Sequence, residues 1–168
     1  MGAYGTTAGM DDLLKAMRDK ALQDTTNLGY LRRVEITSET LGTITGEPSI
    51  FLVPKGSPEE QINDDSVVKL KIARHIVDVM CVTYTMSPHS EDAIIGTGKK
   101  RGIVPFVDDV LAFYGGNTLS VTGLDFVDKP TIEAQEDAYG TFQLEDEETF
   151  LLIATLRYEA KTKPFARG

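Results

Sequence analysis

Side chains that could supply a nucleophile and a base occur in the middle of the chain. Ser87 and Ser90 flank His89, but a catalytic triad needs a base held by a third group, and no Gly-x-Ser-x-Gly elbow is present. Cys81 and His75 would share one face of a strand with their Cα atoms about 20 Å apart, which is too far for a Cys–His pair. The pattern therefore predicts a polar loop and a buried cysteine, and we assign no catalytic residue.

Metal-binding and phosphate-binding patterns are also incomplete. Two histidines and one cysteine give no zinc spacing, and the acidic runs at 64–65 and 145–148 lack the glycine and alternating oxygens of a calcium loop. Residues 96–100 resemble a phosphate-binding loop in composition, but Ala93 stands where that motif needs glycine, and Lys100 where it needs serine or threonine. We therefore expect no metal and no cofactor.

Length and charge limit the class of protein. The chain has 168 residues, a formal net charge of −9 and one cysteine. We expect one domain over 1–168, with a flexible N-terminal arm at 1–9, a long interaction loop at 87–102 and a C-terminal tail at 161–168. An acidic protein does not bind nucleic acid by neutralising phosphates, although it could line a path along which DNA slides. No apolar run approaches the ~20 residues of a membrane span, so no membrane partner is expected.

The remaining chain is organised around a long predicted strand at 67–86. Its even positions are mostly apolar, which predicts that the even face is the dry one, while the odd face starts polar and becomes apolar after His75. Twenty extended residues would span roughly 65 Å, so we expect a bend or bulge near 73–75, or a strand that leaves the body as an arm.

Helical and strand patterns on either side of this strand predict an α+β fold. Apolar residues at helical spacing predict amphipathic helices at 10–23 and 103–114. Alternating or short apolar runs predict strands, which we place at 30–36, 49–53, 119–122, 132–135, 141–144 and 149–160, with loops at 37–47 and 55–65. The expected architecture is a mixed, mostly antiparallel sheet with a long central strand, flanked by the two helices.

This order of elements resembles the tail terminator (tail completion, or neck) proteins of long-tailed bacteriophages. The resemblance covers roughly residues 10–162: an N-terminal helix, two strands of which the second contains 50–53, the long strand, a polar loop, a helix starting around 104–109, and a closing acidic turn and strand at 150–158. It is a resemblance of layout and contains no diagnostic motif.

The resemblance implies a structural virion protein of the tail or neck, assembled in the host cytoplasm. It implies a homohexameric ring that caps the tail tube protein, docks the head–tail connector or stopper protein, and passes DNA through its lumen without specific binding. Candidate interface residues are the basic and apolar side chains of the loop: Lys99, Lys100, Arg101, Ile94 and Ile95. We expect the three basic residues to meet acids on a neighbour or on the tube. Candidate lumen residues are the acids of the closing turn: Glu145, Asp146, Glu147 and Glu148.

Three other readings stay open at the level of the sequence. One is another virion part, such as a head-completion protein or a tail tube subunit, although a tube subunit would be expected to carry a β-sandwich with one helix. Another is a small cytosolic enzyme that uses unidentified carboxylates, since any acidic protein offers candidate pairs. The last is a monomeric binding module. Two clear helices favour the terminator, and the size of the protein in solution would discriminate among the classes.

Overall fold

A computed structural model describes residues 9–31, 33–38, 48–64, 67–115 and 130–166. The strand predicted at 119–122, nearly all of the arm at 1–9, most of the loop at 37–47 and the last two residues of the tail lie outside the described residues. The helices are α1 (Met10–Gln23), α2 (Glu91–Ile94) and α3 (Ile103–Gly115). The strands are β1 (Arg33–Ile36), β2 (Ser49–Gly56), β3 (Glu59–Gln61), β4 (Leu70–Thr85), β5 (Thr131–Gln143), β6 (Phe150–Lys161) and β7 (Phe165–Ala166).

The predicted fold class is confirmed. The main sheet has the order β1-β2-β4-β6-β5, and its pairs are antiparallel except for the parallel pair β1–β2. The small strands β3 and β7 pair with the first part of β4, which is the long central strand of 16 residues. Strands β1 and β5 are the two outer edges of the main sheet.

The two long helices form where the apolar spacing predicts them. In α1 the predicted stripe is buried, and the Asp12 carboxylate accepts a hydrogen bond from the Gly9 N–H at 3.3 Å, which satisfies one of the unpaired donors at the helix start. In α3, Pro105 lies in the first turn, where its missing N–H costs nothing, and Phe106 and Val110 are fully buried. Both helices pack on the same face of the sheet.

The prediction for the faces of β4 is wrong for its first half, where the odd positions Ala73 and His75 are buried and Arg74 is exposed, while its second half has apolar residues packed on both faces as predicted. Its odd positions, including His75, Val77, Val79 and Cys81, face the main core with the helices, whereas its even positions are mostly half-buried. Apolar residues occur on both faces of this strand, so alternation alone could not distinguish them. The imidazole of His75 is compatible with burial because the Ser57 hydroxyl lies 2.7 Å from its Nδ1.

Strand irregularities occur close to the predicted places but on other strands. The partners of β4 change near residue 74, from β3 and β7 to β2 and β6, while the register shift itself lies in β2 between Pro54 and Gly56. Pro54 therefore does not end β2, and β3 occupies part of the predicted loop at 55–65. The strands predicted at 132–135 and 141–144 are one strand, β5, with a register shift between Ala134 and Tyr139.

Candidate interaction surface

Two of the residues considered for catalysis, Ser90 and Cys81, have structural roles. Ser90 caps α2, since its hydroxyl accepts a hydrogen bond from the Ala93 N–H at 3.2 Å and donates one to the Ser87 carbonyl at 2.8 Å. Cys81 is fully buried, and burial raises the pKa of its thiol. Within the described ranges, no three histidine, cysteine or acidic side chains gather where they could hold a metal ion. Among the described helices, none is long and apolar enough to cross a membrane.

The polar loop at 87–102 is a folded element. It contains α2 and then a tight turn in which Gly96 pairs with Arg101 and the Thr97 N–H donates to the Lys100 carbonyl at 2.8 Å. The Thr97 hydroxyl accepts bonds from the two following N–H groups of the turn. A Cβ at Gly102 would lie 2.4 Å from the carbonyl carbon of Ile95, so only glycine fits this close approach.

The basic side chains of the loop have different environments. The Arg101 guanidinium donates to both oxygens of Asp109, with Nε and Nη2 each 2.9 Å from their acceptors. This bidentate bond raises the pKa of Arg101. Lys100 Nζ donates to the Tyr84 carbonyl. Lys99 is exposed, and no acid of the described chain lies within ion-pair distance of it. Arg101 therefore already pairs with an acid of its own chain, and its contact with an acid on a neighbour stays a prediction.

Asp109 also binds a second residue, which comes from a distant part of the chain. The Tyr30 hydroxyl donates to Asp109 Oδ2 at 2.8 Å, and the Arg101 guanidinium lies 6.0 Å from the centre of the Tyr30 ring. Burial, followed by the hydrogen bond to Asp109, raises the pKa of Tyr30. We call Tyr30, Arg101 and Asp109 the latch, because they tie the loop to α3 and to the segment after α1.

An apolar groove lies between the loop, α3 and the edge strand β5. Its volume is about 290 Å³, and its lining consists of Pro88, Ile94, Ile103, Val104, Tyr139, Gly140, Thr141, Leu152 and Ile153. The predicted interface residue Ile94 lines it, and Ile95 beside it is 55% exposed. Acidic side chains stand on the elements that form the groove, namely Glu91 and Asp92 in α2, Asp108 in α3 and Asp137 in β5.

The four predicted lumen acids form the turn between β5 and β6, and one of them has a structural role. The Asp146 carboxylate accepts bonds from the N–H groups of Glu148 and Thr149 and from the Thr149 hydroxyl, at 3.0, 2.8 and 2.7 Å. The hydroxyl bond, followed by the two N–H bonds, lowers the pKa of Asp146 below its ordinary value of 3.8. Glu145, Glu147 and Glu148 are exposed around it.

Comparisons with known proteins show no family for this chain. No family model matches the chain, and no curated protein matches it. Among solved structures, the chain is similar to one in the virion of a native gene transfer agent particle, at 10% identity and a TM-score of 0.35, over 89% of this chain and 94% of that one. A likeness at this TM-score carries no argument about the function of this protein.

The role of Asp146 in the turn predicts a pH-dependent effect of its removal. Because its pKa is lower in the folded state, the carboxylate stabilises the fold above pH 3.8, and this contribution is lost as the pH falls through the folded-state pKa. Asp146→Ala is therefore expected to unfold at lower urea concentration than wild type near pH 7, and this difference should shrink as the pH falls through the folded-state pKa.

Equilibrium urea unfolding of both proteins across this pH range measures the difference. Glu145→Ala is the matched control, because it removes a neighbouring exposed carboxylate from the same turn and is expected to leave the midpoint nearly unchanged. An equal deficit of Asp146→Ala at neutral and low pH would contradict the assignment.

Sequence reasoning missed the latch and the groove. Tyr30 and Asp109 are separated by 79 residues along the chain, and neither belongs to a local motif. A signal for the groove was present, since Ile94 and Ile95 form an apolar pair within a polar loop, but the strand that forms the opposite wall could not be identified from the sequence.

Proposed function

We propose that this protein is a structural component of a virion, and specifically a tail terminator subunit. In this proposal six copies form a ring that caps the tail tube protein and offers a docking face to the head–tail connector or stopper protein. The whole chain acts as one domain without catalysis, and the subunit belongs to the tail or neck of the particle.

The observation that carries the proposal is the order and placement of the elements. The sequence layout that resembles tail terminators recurs as folded elements: α1, two strands of the sheet, the 16-residue β4, a folded contact loop, α3 and the closing pair β5–β6. Among the described residues the helices cover one face of the sheet, and the second apolar cluster, around Phe51, Val82 and Leu151, contains strand and turn residues. A subunit with helices on one face and strands at its edges is suited to lateral contacts in a ring.

Charge supports a lumen that does not retain DNA. The stretch 130–156 contains seven acids and no lysine or arginine, and the exposed Glu145, Glu147 and Glu148 stand at its turn. In our proposal this turn faces the lumen, where carboxylates repel the phosphate backbone and keep the passage free of strong binding. Asp146 contributes to the same turn by holding its shape rather than by facing DNA.

The expected result of native mass spectrometry on the purified chain is a closed oligomer, with six copies as the proposed number. Negative-stain images of that species should show a ring whose central hole admits duplex DNA. Rings should also bind one end of tail tubes and stop their elongation. A chain that stays monomeric at all concentrations, and forms no ring when tail tubes are added, would exclude the terminator. It would favour the alternative of a small enzyme that uses unidentified carboxylates.

A further inference from the structure

The outer edge of β5 is the longest uncovered strand edge in the described part of the chain. β5 pairs with β6 on one side, and none of the described strands pairs with its other side. The opposite edge of the main sheet, β1, has four residues that are buried or half-buried, whereas β5 is exposed at all but two of its positions. Such an edge presents a row of unpaired N–H and C=O groups, which another extended chain can bind.

The second half of this edge, residues 139–143, is regular, and we call it the open edge. A register shift between Ala134 and Tyr139 interrupts the first half of β5, whereas residues 139–143 pair one to one with residues 150–154 of β6. Lysine, proline or a bulge commonly protects an edge strand from pairing with another chain. The open edge contains no charged residue and no proline, and its Tyr139 and Phe142 are 50% and 43% exposed. It is therefore able to accept a further strand.

The apolar groove lies along the open edge. Residues 139–141 form one of its walls, and residues 103 and 104 at the start of α3 also line it. Thr141 is the register partner of Leu152, which belongs to the core under the helices, so the groove opens on the helix side of the edge. Successive side chains of a strand point to opposite faces, so every second side chain of an added strand would point into the groove. In this mode of recognition the backbone supplies affinity and the groove supplies specificity.

Acidic side chains flank the open edge along the chain at both ends. Glu136 and Asp137 precede it, and the acidic turn at 145–148 follows it. Burial, followed by the charge of Asp108 in α3, raises the pKa of Tyr139, which places a further acid near this edge. The charges around the open edge therefore favour a partner segment that has lysine or arginine on both sides of an uncharged centre.

The same charges disfavour a second copy of β5 as the occupant. In an antiparallel pair of two β5 strands centred on Thr141, Asp137 of one copy would lie opposite Glu145 of the other, and a parallel pair in register would place identical acids side by side. Like charges directly opposite each other in a sheet are destabilising. The other edge strand, β1, is also unsuitable, because Val34 and Ile36 already pack in the core of their own chain and leave no apolar side chain for the groove.

We propose that the open edge binds an extended, basic segment of a partner protein by strand addition, with alternate apolar side chains of that segment in the groove. The groove has a volume of about 290 Å³, which is small for a cofactor but sufficient for aliphatic side chains. The inference goes beyond the proposed function, because a single copy contains the whole site and no ring is needed to complete it. Ile94 then contacts the partner as part of the groove, while the latch holds its segment in place.

A titration of the whole chain with a designed peptide tests this site. The probe is acetyl-Lys-Lys-Thr-Val-Thr-Val-Thr-Lys-Lys-amide, whose two valines point to the same side when the peptide is extended. The control peptide has glutamate in place of every lysine. We expect hydrogen exchange at the N–H groups of residues 139–143 to slow when the lysine peptide is added and to stay unchanged with the glutamate peptide.

Two matched variants distinguish binding at the open edge from general attraction to an acidic protein. Thr141→Lys places a positive charge at the open edge and in the groove wall, whereas Thr131→Lys places the same charge at the exposed start of β5, before the register shift. Both variants change the net charge equally, but only Thr141→Lys should weaken binding of the lysine peptide, with a Kd about tenfold higher. Equal Kd values for the two variants would overturn the site.

The remaining outcomes identify another occupant or none. Failure of the lysine peptide to bind, or equal binding of the glutamate peptide, overturns the proposal. Slow exchange at residues 139–143 in the chain without peptide overturns it as well. If that protection is independent of protein concentration, a segment of the same chain covers the edge, and if it grows with concentration, a second copy does. Native mass spectrometry tests the ring separately, so the failure of this site and the failure of the terminator are distinguishable.

Discussion

Replacing Asp109 with alanine is expected to lower the free energy of unfolding by about 2 kcal/mol. The substitution removes the acceptor of three hydrogen bonds, one from the Tyr30 hydroxyl and two from the Arg101 guanidinium. The hydrogen bond from the Tyr30 hydroxyl is part-buried, so water replaces the lost acceptor poorly. The loss of this bond therefore accounts for most of the decrease in the free energy of unfolding. Arg101 is 44% exposed, so its ion pair is screened and contributes less.

Asp108→Ala is the matched control for this prediction. Asp108 is exposed and precedes Asp109 in α3, so both substitutions gain the same helix propensity while only one breaks the latch. Equilibrium urea unfolding at one protein concentration measures both, and a double-mutant cycle with Tyr30→Phe should give a coupling energy of about 1 kcal/mol. If the two alanine variants are equally stable, the latch does not stabilise the fold.

The latch also holds one side of the groove, since Ile94 lines the groove. Arg101 closes the turn that begins at Gly96, and that turn follows directly after Ile94 and Ile95. Loss of Asp109 therefore removes the attachment that holds this segment against α3.

The parts of the fold that follow from local patterns were predictable. Apolar spacing with two acids in the first turn predicts α1, and its bounds at Met10 and Gln23 are confirmed. The same reasoning predicts α3 to within one residue, because Pro105 marks its start and Gly115 its end. The strand predicted at 149–160 is β6, with Leu152, Ala154, Leu156 and Tyr158 on the helix side.

The sequence-based predictions fail where both faces of a strand carry apolar residues, or where segments far apart along the chain meet. In β4 both faces carry apolar residues, so the identity of the helix-covered face depends on where α1 and α3 pack, which alternation does not specify. The interruption of β5 looks like a loop in the sequence because its polar residues include Asp137, which adopts a positive φ of 61° within a register shift. The latch joins Tyr30 to Asp109, which is 79 residues away along the chain, so no local pattern indicates that the two side chains meet.

Replacing either of two neighbouring core tyrosines with phenylalanine is expected to change the free energy of unfolding, but in opposite directions. Tyr114 and Tyr158 are both fully buried, and their rings meet edge to face with centroids 6.1 Å apart. The Tyr114 hydroxyl donates to the Met17 carbonyl at 2.8 Å, which ties α3 to α1. The Tyr158 hydroxyl is buried without a hydrogen-bond partner in the described part of the chain. Burial raises the pKa of both phenols, so both are neutral.

Tyr114→Phe is therefore expected to lower the free energy of unfolding by about 1 to 1.5 kcal/mol, because it removes a made hydrogen bond. Tyr158→Phe removes a buried polar group that makes none, and is expected to raise the free energy of unfolding by about 1 kcal/mol. Each variant is the control of the other, since both delete one oxygen from the same region and keep the aromatic contact. Urea midpoints with unchanged m-values would measure the difference. A loss of stability in Tyr158→Phe would mean that its hydroxyl has a partner, and would place a polar contact at the centre of the sheet beneath α3.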